Sequence, residues 1–402
     1  MGRKTFYGWW IVLSCFLIGL YVGGVIFYGF TAFFEPLVEE FGWSYTQISF
    51  AASLRGLEMG IFAPLIGFLV DRFGSRKLIL CGTITVGFGL ILLSLTQSLA
   101  MFYGSFLFLA FGAGGCASVV IMTAVANWFR KNVGVALGVA ISGFGASGLL
   151  VPIIVRLIDV YDWRGTLIIL GLGMWILGIP LSLVIRNRPE QYGYLPDGEL
   201  SVDAITNLEN QRKGVEIGIK EGLKKRSFLY LILAEAIRMM TLAAVVIHIM
   251  PYLSSVGMSR ATAGLVTGAM PLFSIIGRFG FGWLSDVIEK RHVMAMTFLF
   301  MGVGMLAFCY VHVRWVVYLF LLVFSPGYGG SMVLRGSILR EYFGRDSFGK
   351  MIGITMGSAS IGGIIGPTLA GWTFDTLGSY HLVWLVFCGI IGLATIIVLR
   401  IR

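Results

Sequence analysis

The sequence predicts an all-helical membrane protein of twelve transmembrane helices, arranged as two parallel repeats of six. Three observations lead to this prediction. Apolar residues make up 57% of the chain and charged residues 12%, about half the charged share of a soluble domain. The apolar residues gather in runs of about 20 or more, the length at which a helix crosses a bilayer. Residues of the first half also recur in the second half at one constant spacing.

Six predicted spans precede a polar segment and six follow it. The first six lie near residues 8–34, 47–70, 78–96, 101–127, 133–156 and 163–186. The second six lie near 228–254, 260–284, 292–311, 315–339, 350–374 and 380–400. The polar segment therefore divides the chain into an N-terminal half, a cytoplasmic linker and a C-terminal half, at residues 1–186, 187–227 and 228–402.

An internal repeat supports this division. Proline, glycine, serine and aspartate residues of the first half recur 215 residues later in the second. The pairs are Pro36 and Pro251, Gly42 and Gly257, Ser44 and Ser259, Gly67 and Gly282, Asp71 and Asp286, Gly138 and Gly353, Gly148 and Gly363, and Pro152 and Pro367. Because each half has an even number of spans, the two halves share one orientation and form parallel repeats.

Lysine and arginine residues predict the orientation of the chain. With the N-terminus inside, 22 of the 30 basic residues are cytoplasmic. The predicted outer loops hold only Arg156, Arg164, Arg260 and Arg314. Since basic residues concentrate in cytoplasmic loops, we expect a multi-pass inner (plasma) membrane protein with both termini in the cytoplasm. The net charge of +10 then reflects topology, so no nucleic-acid partner is predicted, and we expect a monomer in the lipid bilayer.

The sequence carries none of the common signatures of an enzyme. Its five cysteines lie singly in apolar runs without CxxC spacing, which indicates packing and neither disulfides nor a metal site. The glycine-rich stretches lie in predicted helices and follow no strand, so they are not phosphate-binding loops. We therefore predict no catalytic activity, no metal and no cofactor.

A charged motif, GFLVDRFGSRK, begins at residue 67 between the second and third spans. The second half repeats its glycine and aspartate at the same offset. The motif resembles the signature of the major facilitator superfamily, with Ser75 inserted before the basic pair. This resemblance covers nearly the whole chain and implies the major facilitator fold and a gate on the cytoplasmic side. The predicted gating residues are Gly67, Asp71, Arg72, Arg76, Gly282 and Asp286.

A finer resemblance is to the monocarboxylate transporters and oxalate–formate antiporters of that superfamily. It rests on YGWW at 7–10, FFEP at 33–36, FGWS at 41–44, NWF at 127–129 and Arg278 in the eighth span. The resemblance implies a carrier of small organic acids.

The chain departs from that pattern at three places. Ser274 stands where animal monocarboxylate transporters carry an Asp, and Tyr28 aligns with a first-helix Lys of those proteins. Ser358 stands where relatives that carry oxalate have a second basic residue. A single central cation favours a monoanion over a dianion, and the missing Asp puts the usual proton relay in doubt.

Arg278 is the residue that points most directly to a substrate. It lies eight residues before Asp286, which predicts a depth of roughly 12 Å in a hydrocarbon core about 30 Å thick. An ionised Arg there costs at least ~2.5 kcal/mol, so we expect it to face a water-filled cavity and an anion. A guanidinium can hold a carboxylate with two parallel hydrogen bonds. The alternative is a structural ion pair with an acid of another helix.

Four further residues are predicted to bind substrate. Tyr28 and Tyr328 lie on spans that line the central cavity in the resembled superfamily and can offer hydroxyl groups, with packing as the alternative. Ser274 lies one helical turn before Arg278. His248 is also the candidate proton carrier, because histidine titrates near neutral pH, with a satisfied interfacial histidine as the alternative.

Other intramembrane charges have simpler explanations. Glu235 and Arg238 are one turn apart on the seventh span, so a structural pair is expected. Arg335 approaches the predicted cytoplasmic end of its span, where we expect its side chain to snorkel to the interface.

Together these observations predict a proton-coupled secondary transporter of small monocarboxylates, such as lactate or pyruvate, that works by alternating access. The alternatives are an organic-anion exchanger of the oxalate–formate type and an exporter of hydrophobic compounds. An acidic cavity around Glu58 and Glu235 would favour the exporter. A non-transporting membrane sensor or assembly subunit is the alternative from another class, although the linker is too short for a signalling domain.

Overall fold

The structure, a computed structural model, describes residues 6–54, 56, 63–129, 133–192, 225–343 and 348–401. Throughout these residues the chain forms helices and connecting turns, and they contain no strand. Ten helical ranges among them are long and apolar enough to cross a membrane. The chain is therefore an all-helical, multi-pass membrane protein, as the sequence predicts.

Within the described residues, nine α-helices precede the predicted linker. They are α1 (Gly8–Val22), α2 (Phe34–Phe41), α3 (Tyr45–Ser53), α4 (Ala63–Phe73), α5 (Ser75–Ser94), α6 (Leu99–Gly115), α7 (Ser118–Ala126), α8 (Val133–Ala146) and α9 (Leu150–Val184). In the described residues after the linker, six α-helices follow. They are α10 (Arg226–Ser255), α11 (Arg260–Val287), α12 (Lys290–Cys309), α13 (Val316–Phe343), α14 (Phe348–Leu377) and α15 (His381–Leu399).

The fifth and sixth predicted spans lie in one continuous apolar range. This range, Val135–Val184, covers most of both spans. The chain leaves helical geometry within it at Asp162, where φ is 59° and ψ is 178°. A non-glycine residue rarely adopts a positive φ, so this residue marks the turn between the two spans. The second predicted span, 47–70, and the predicted linker lie partly outside the described residues. Arg55 and Glu58 are not among the described residues.

The first predicted span changes helix type before it ends. After α1 the chain forms a π-helical segment, Gly23–Tyr28, and then a 3-10 segment, Gly29–Phe33. Such π segments occur often at functional sites, because the extra residue per turn rotates the side chains that follow. The backbone is tight here, since a Cβ on Gly29 would meet the carbonyl oxygen of Gly24.

The internal repeat appears in the local backbone as well as in the sequence. Gly42 and Gly257 both have a positive φ, 65° and 83°, at the ends of α2 and α10. This conformation favours glycine at a helix C-terminus. Two residues later, the Ser44 and Ser259 hydroxyls accept hydrogen bonds from the backbone N–H groups of the third residues of α3 and α11. The same helix stop and helix start are therefore used in both halves.

By packing, the chain divides into two compact units. The first consists of Met1–Gly23, Phe62–Ser147 and Arg164–Val215. The second consists of Gly24–Ile61, Gly148–Trp163 and Glu216–Arg402. Two segments of the predicted N-terminal half, 24–61 and 148–163, thus pack with the C-terminal half. The two repeat halves themselves remain a prediction from the sequence.

Small residues hold the helices together in each unit. In the first unit α5 packs on α6, where a Cβ on Gly82 would lie 2.8 Å from the carbonyl oxygen of Gly112. In the second unit α10 packs on α14, where Gly362 faces the backbone of Ala236. Close backbone approach of this kind is typical of helices packed in lipid. Large apolar side chains remain exposed, such as Ile176 at 70%, as expected for a surface solvated by lipid.

Candidate functional site

Four of the five predicted substrate-binding residues come together in the second unit. The Tyr28 and Tyr328 hydroxyl oxygens are 3.2 Å apart, although the residues are 300 positions apart in the sequence. The Arg278 guanidinium interacts electrostatically with both tyrosines. The Ser274 hydroxyl contacts the Tyr328 hydroxyl and donates a 2.6 Å hydrogen bond to the Pro271 carbonyl of its own helix. We call Arg278, Ser274, Tyr28 and Tyr328 the Arg278 cluster.

Close contact between α11 and α13 positions this cluster. A Cβ on Gly277 would collide with the backbone of Pro326, and a Cβ on Gly329 would collide with the backbone of Ser274. The two helices therefore touch through their backbones at the level of the cluster. As a result, Arg278 on α11 lies beside Tyr328 on α13, and the π-helical segment brings Tyr28 to them.

Arg278 has no acidic partner in the described part of the chain. Its side chain is half-buried, and its Nε is fully buried without a hydrogen-bond partner. Buried donors in proteins are almost always paired, and a buried charge without a partner costs several kcal/mol. The structural ion pair considered for Arg278 is therefore absent from the described residues. The cluster offers one guanidinium and two tyrosine hydroxyl groups, which suits a small anion with a carboxylate, whereas the Ser274 hydroxyl already donates to the Pro271 carbonyl.

His248 lies in a different group of side chains, on α10. Its Nε2 is 2.9 Å from the Pro367 carbonyl oxygen and 2.8 Å from the Ser49 hydroxyl, and its Nδ1 is 3.0 Å from the Tyr380 hydroxyl. A carbonyl only accepts hydrogen bonds, so Nε2 carries the hydrogen and Nδ1 accepts from Tyr380 in a neutral ring. We call His248, Ser49, Pro367 and Tyr380 the His248 cluster. The predicted roles of His248 in substrate binding and proton coupling remain predictions.

Asp375 holds the start of α3, a contact that the sequence did not suggest. Its carboxylate accepts hydrogen bonds from the backbone N–H groups of Tyr45 (2.9 Å) and Thr46 (2.8 Å). The next N–H, of Gln47, donates to the Ser44 hydroxyl at 3.2 Å. The first N–H groups of the helix are thereby satisfied, and a negative charge lies at its positive end.

Thr31 and Arg260 make further contacts in the second unit, near the predicted outer ends of the helices. Thr31 donates a 2.8 Å hydrogen bond to the carbonyl of Ile247. That carbonyl lacks its helical partner because residue 251 is a proline without an N–H. Arg260 donates to the Ala32 carbonyl at 2.7 Å and lies 3.5 Å from a Glu35 oxygen. These bonds tie the end of the first predicted span to α10 and α11.

Glu235, Arg238 and Arg335 form a buried group of three charges, which we call the Glu235 cluster. Arg238 donates to Glu235 Oε2 through Nε at 3.0 Å and Nη2 at 2.8 Å, as expected for a pair on one helix. Arg335 Nη1 also approaches Oε2, at 3.4 Å. The snorkelling predicted for Arg335 is therefore wrong, because its side chain is only 8% exposed and turns inward to a carboxylate of another helix.

The first predicted gating loop is partly described. The surroundings of Gly67 and the side chain of Asp71 lie outside the described residues. Arg72 is exposed, and the backbone N–H of Arg76 donates a 2.9 Å hydrogen bond to the Asn187 side chain. This bond anchors the start of α5 to the first residue of the predicted linker.

The charged motif also contains Gly74, and its second copy contains Gly282 and Asp286. Gly74 has φ 82° and ψ 156°, a conformation open essentially to glycine, and a Cβ there would lie 2.5 Å from the Asn187 side chain. This explains the glycine between the two basic positions of the motif. In the second loop, Gly282 lies near Val333 and Asp286 is exposed, so neither shows a gating contact in the described residues.

Comparison with protein families identifies one matching family. The family model of the Major Facilitator Superfamily matches residues 10–255 and 228–402, which together cover nearly the whole chain. Monocarboxylate transporter 12 of Rattus norvegicus is 28% identical over 411 residues, covering 95% of this chain and 82% of that protein. The uncharacterized MFS-type transporter YcxA of Bacillus subtilis (strain 168) is 24% identical over 400 residues, covering 97% and 94% of the two chains.

A solved structure shares the fold. It is that of a bacterial homologue of the human lysosomal transporter Spinster, in an inward-facing and unoccupied conformation. The TM-score is 0.71 at 15% identity, over 100% of this chain and 95% of the other. The same homologue in an inward-facing and occupied conformation has a TM-score of 0.69. At this level of identity the likeness concerns the fold alone.

Proposed function

The chain belongs to the Major Facilitator Superfamily, and on this premise we propose that it is a proton-coupled secondary transporter of small monocarboxylates such as lactate or pyruvate. It is a membrane transporter related to the monocarboxylate transporters. The substrate and the coupling ion are the proposed part.

The main support for the proposal is the guanidinium of Arg278, which has no ion-pair partner within the described residues. Its buried Nε lacks a partner, and two tyrosine hydroxyls lie beside it. A carboxylate is the anion that a planar guanidinium holds best, through two parallel hydrogen bonds. Tyr28 and Tyr328 share one hydrogen bond, so the hydroxyl that accepts this bond can donate its own hydrogen to the same carboxylate. Since the cluster contains a single cation, it suits an anion of one negative charge.

Alternating access accounts for the contacts around α3 and α10. The bonds of Asp375 to Thr46 and of Thr31 to Ile247 join segments of the two predicted halves at their predicted outer ends. We propose that these contacts close the outer side and must break when the site opens outward, while the charged loops at Asp71 and Asp286 act on the cytoplasmic side. In this scheme the protein is a monomer of the inner membrane with both termini in the cytoplasm.

Uptake into proteoliposomes tests the proposal. Purified protein is reconstituted, and uptake of radiolabelled lactate is measured with and without an inward proton gradient. We expect gradient-driven uptake by the wild type and none by Arg278→Ala, because loss of a buried charge partner costs ~2–5 kcal/mol of binding, about thirtyfold or more in affinity. Arg278→Lys keeps the charge but loses the two-pronged geometry, so we expect it to bind more weakly than the wild type.

Arg156→Ala is the matched control, because it removes an exposed guanidinium of a predicted outer loop. Its uptake should equal that of the wild type. Uptake that requires an anion inside the proteoliposomes and does not depend on the proton gradient would instead indicate anion exchange. Failure to transport lactate, pyruvate, acetate or formate in either mode would overturn the monocarboxylate proposal and favour an exporter or a non-transporting subunit.

A further inference from the structure

Glu235 is a carboxylate deep in the membrane whose bonding leaves room for a proton. We propose that Glu235 is the site at which the co-transported proton binds, and that Arg238 and Arg335 hold it as a carboxylate in the empty carrier. This inference rests on the proposed function, since it assigns the coupling ion of that transporter to one residue.

Position and burial single out Glu235. It lies nine residues into α10, roughly 14 Å along the helix, and is the one fully buried acidic residue in the part of the chain that the structure describes. Arg335 lies eight residues before the end of α13, at roughly 12 Å. Acidic residues at such depth are rare and costly, and in transporters they commonly carry protons.

The hydrogen bonds of Glu235 are unevenly distributed. All three nitrogen contacts, at 3.0, 2.8 and 3.4 Å, fall on Oε2. Oε1 is buried and has no hydrogen-bond partner among the residues that the structure describes, and neither have Arg238 Nη1 and Arg335 Nε. A buried ion pair that served only stability would need its remaining polar atoms satisfied. Oε1 is therefore an available acceptor for a proton.

The groups around Glu235 make its charge depend on the rest of the site. Arg238 on its own helix and Arg335 on α13 face it. No ionisable side chain lies within ion-pair distance of Glu235 among the described residues of α14, α15 and the 3-10 segment after α1. Near Glu235, the Ser358 hydroxyl of α14 donates a 3.2 Å hydrogen bond to the Ile232 carbonyl. The remaining packed helix, α11, carries the unpaired Arg278.

Charge balance links the proton to the substrate. In the empty carrier, three arginines and one carboxylate give the region a net formal charge of plus two. A proton on Glu235 alone raises it to plus three, and a monocarboxylate at Arg278 alone lowers it to plus one. When both bind, the charge returns to plus two, so the loaded and empty carriers cross the same electrostatic barrier. Each ligand thus favours binding of the other in a low-dielectric interior.

Separate measurements of coupled uptake and exchange test this assignment. With an inward gradient of about one pH unit, one proton per anion allows about tenfold accumulation of lactate. We expect the wild type to accumulate lactate and Glu235→Gln to equilibrate it without accumulation. Glu235→Gln should still exchange external for internal lactate, because exchange needs no net proton movement. Glu235→Asp keeps a carboxylate and should accumulate lactate with a shifted pH profile.

Two controls keep the outcome interpretable. His248→Gln removes the other candidate proton carrier. Because its contacts with the Pro367 carbonyl and the Tyr380 hydroxyl also affect stability, we compare the ratio of lactate accumulation to lactate exchange, which should equal the wild-type ratio. If Glu235→Gln does not fold, the double variant Glu235→Gln/Arg335→Gln has the same net charge as the wild-type cluster and should show exchange without accumulation.

The failure of the inference and the failure of the proposed function give different results. Accumulation by Glu235→Gln or by the double variant, or a Glu235→Asp pH profile equal to that of the wild type, would overturn the assignment of Glu235 alone. Loss of accumulation in His248→Gln with exchange intact would move the proton site to His248. A wild type that transports no monocarboxylate in either mode would overturn both proposals.

Discussion

The His248 and Glu235 clusters lie on the same helix, α10, and bury their polar groups in opposite ways. His248 is fully buried, and both of its ring nitrogens have hydrogen-bond partners. Glu235 is equally buried, but one carboxylate oxygen and two guanidinium nitrogens of its cluster have no hydrogen-bond partner in the described part of the chain. The first arrangement completes the bonding of a neutral group. The second leaves a charged group with unused bonding capacity.

The two bonding patterns predict which buried group can change its protonation state. Protonation of a buried imidazole whose acceptor nitrogen is already bonded breaks or reverses that hydrogen bond and buries a charge, so the ring resists the change. A carboxylate with a free oxygen can take a proton and keep its contacts through the other oxygen. We therefore expect the His248 cluster to contribute mainly to stability and the Glu235 cluster to contribute also to function.

The largest expected effect comes from breaking the Glu235 cluster at its tighter contact. Arg238→Met leaves the carboxylate with only the 3.4 Å contact of Arg335, and removal of one partner of a buried ion pair costs ~3–5 kcal/mol. We expect a large drop in the melting temperature of the detergent-solubilised protein. Arg335→Met is the matched control, since it keeps the two shorter bonds of Arg238 to Glu235, at 3.0 and 2.8 Å, and should cost much less. Equal losses in the two variants would contradict the bonding pattern described here.

Disruption of the His248 cluster should be the next largest effect. His248→Ala leaves the Pro367 carbonyl and the Tyr380 hydroxyl without their partner and opens a cavity, for a cost of ~2–3 kcal/mol. Ser49→Ala removes only one of the two contacts of Nε2, so its melting temperature should fall less. A stability of His248→Ala equal to that of the wild type would show that the satisfied hydrogen bonds contribute little.

A variant in the Arg278 cluster extends the comparison to substrate binding. Tyr328→Phe removes one hydroxyl that is placed to donate to the carboxylate, and we expect the KM for lactate to rise about tenfold, or ~1.4 kcal/mol. Tyr252→Phe is the control, because the Tyr252 hydroxyl already donates to the Phe308 carbonyl at 2.9 Å. A rise in KM for Tyr252→Phe of the same size would assign the effect to packing.

The smallest effect is expected at the exposed carboxylate of Asp375. Asp375→Asn keeps one accepting oxygen, leaves the other backbone N–H facing an amide nitrogen and removes the negative charge at the start of α3, for ~1 kcal/mol in all, of which salt should screen the charge effect. The melting temperature measured at low and high salt tests this. A larger fall in the melting temperature for Asp375→Asn than for His248→Ala would show that solvent exposure does not weaken the contact of Asp375 with α3.

The Arg278 cluster shows how far the sequence reached into the site. The depth of Arg278 in its span and the resemblance to organic-acid carriers pointed to it, and the structure brings Tyr28, Tyr328 and Ser274 beside it. The inward turn of Arg335 was missed, because its position near a helix end was compatible with snorkelling. Asp375 carried no signal in the sequence, since an acid at a predicted helix end is ordinary.

Features that depend on neighbouring residues could be predicted from the sequence. Hydropathy defined most of the spans, and the repeat at Gly42 and Gly257 marked the helix ends, because each follows from composition or backbone preference within a few positions. The pairing of charges depends instead on the three-dimensional packing. Arg335 finds Glu235 one hundred residues away while Arg278 finds no acid in the described chain, and that outcome depends on the rotation and packing of each helix against its neighbours.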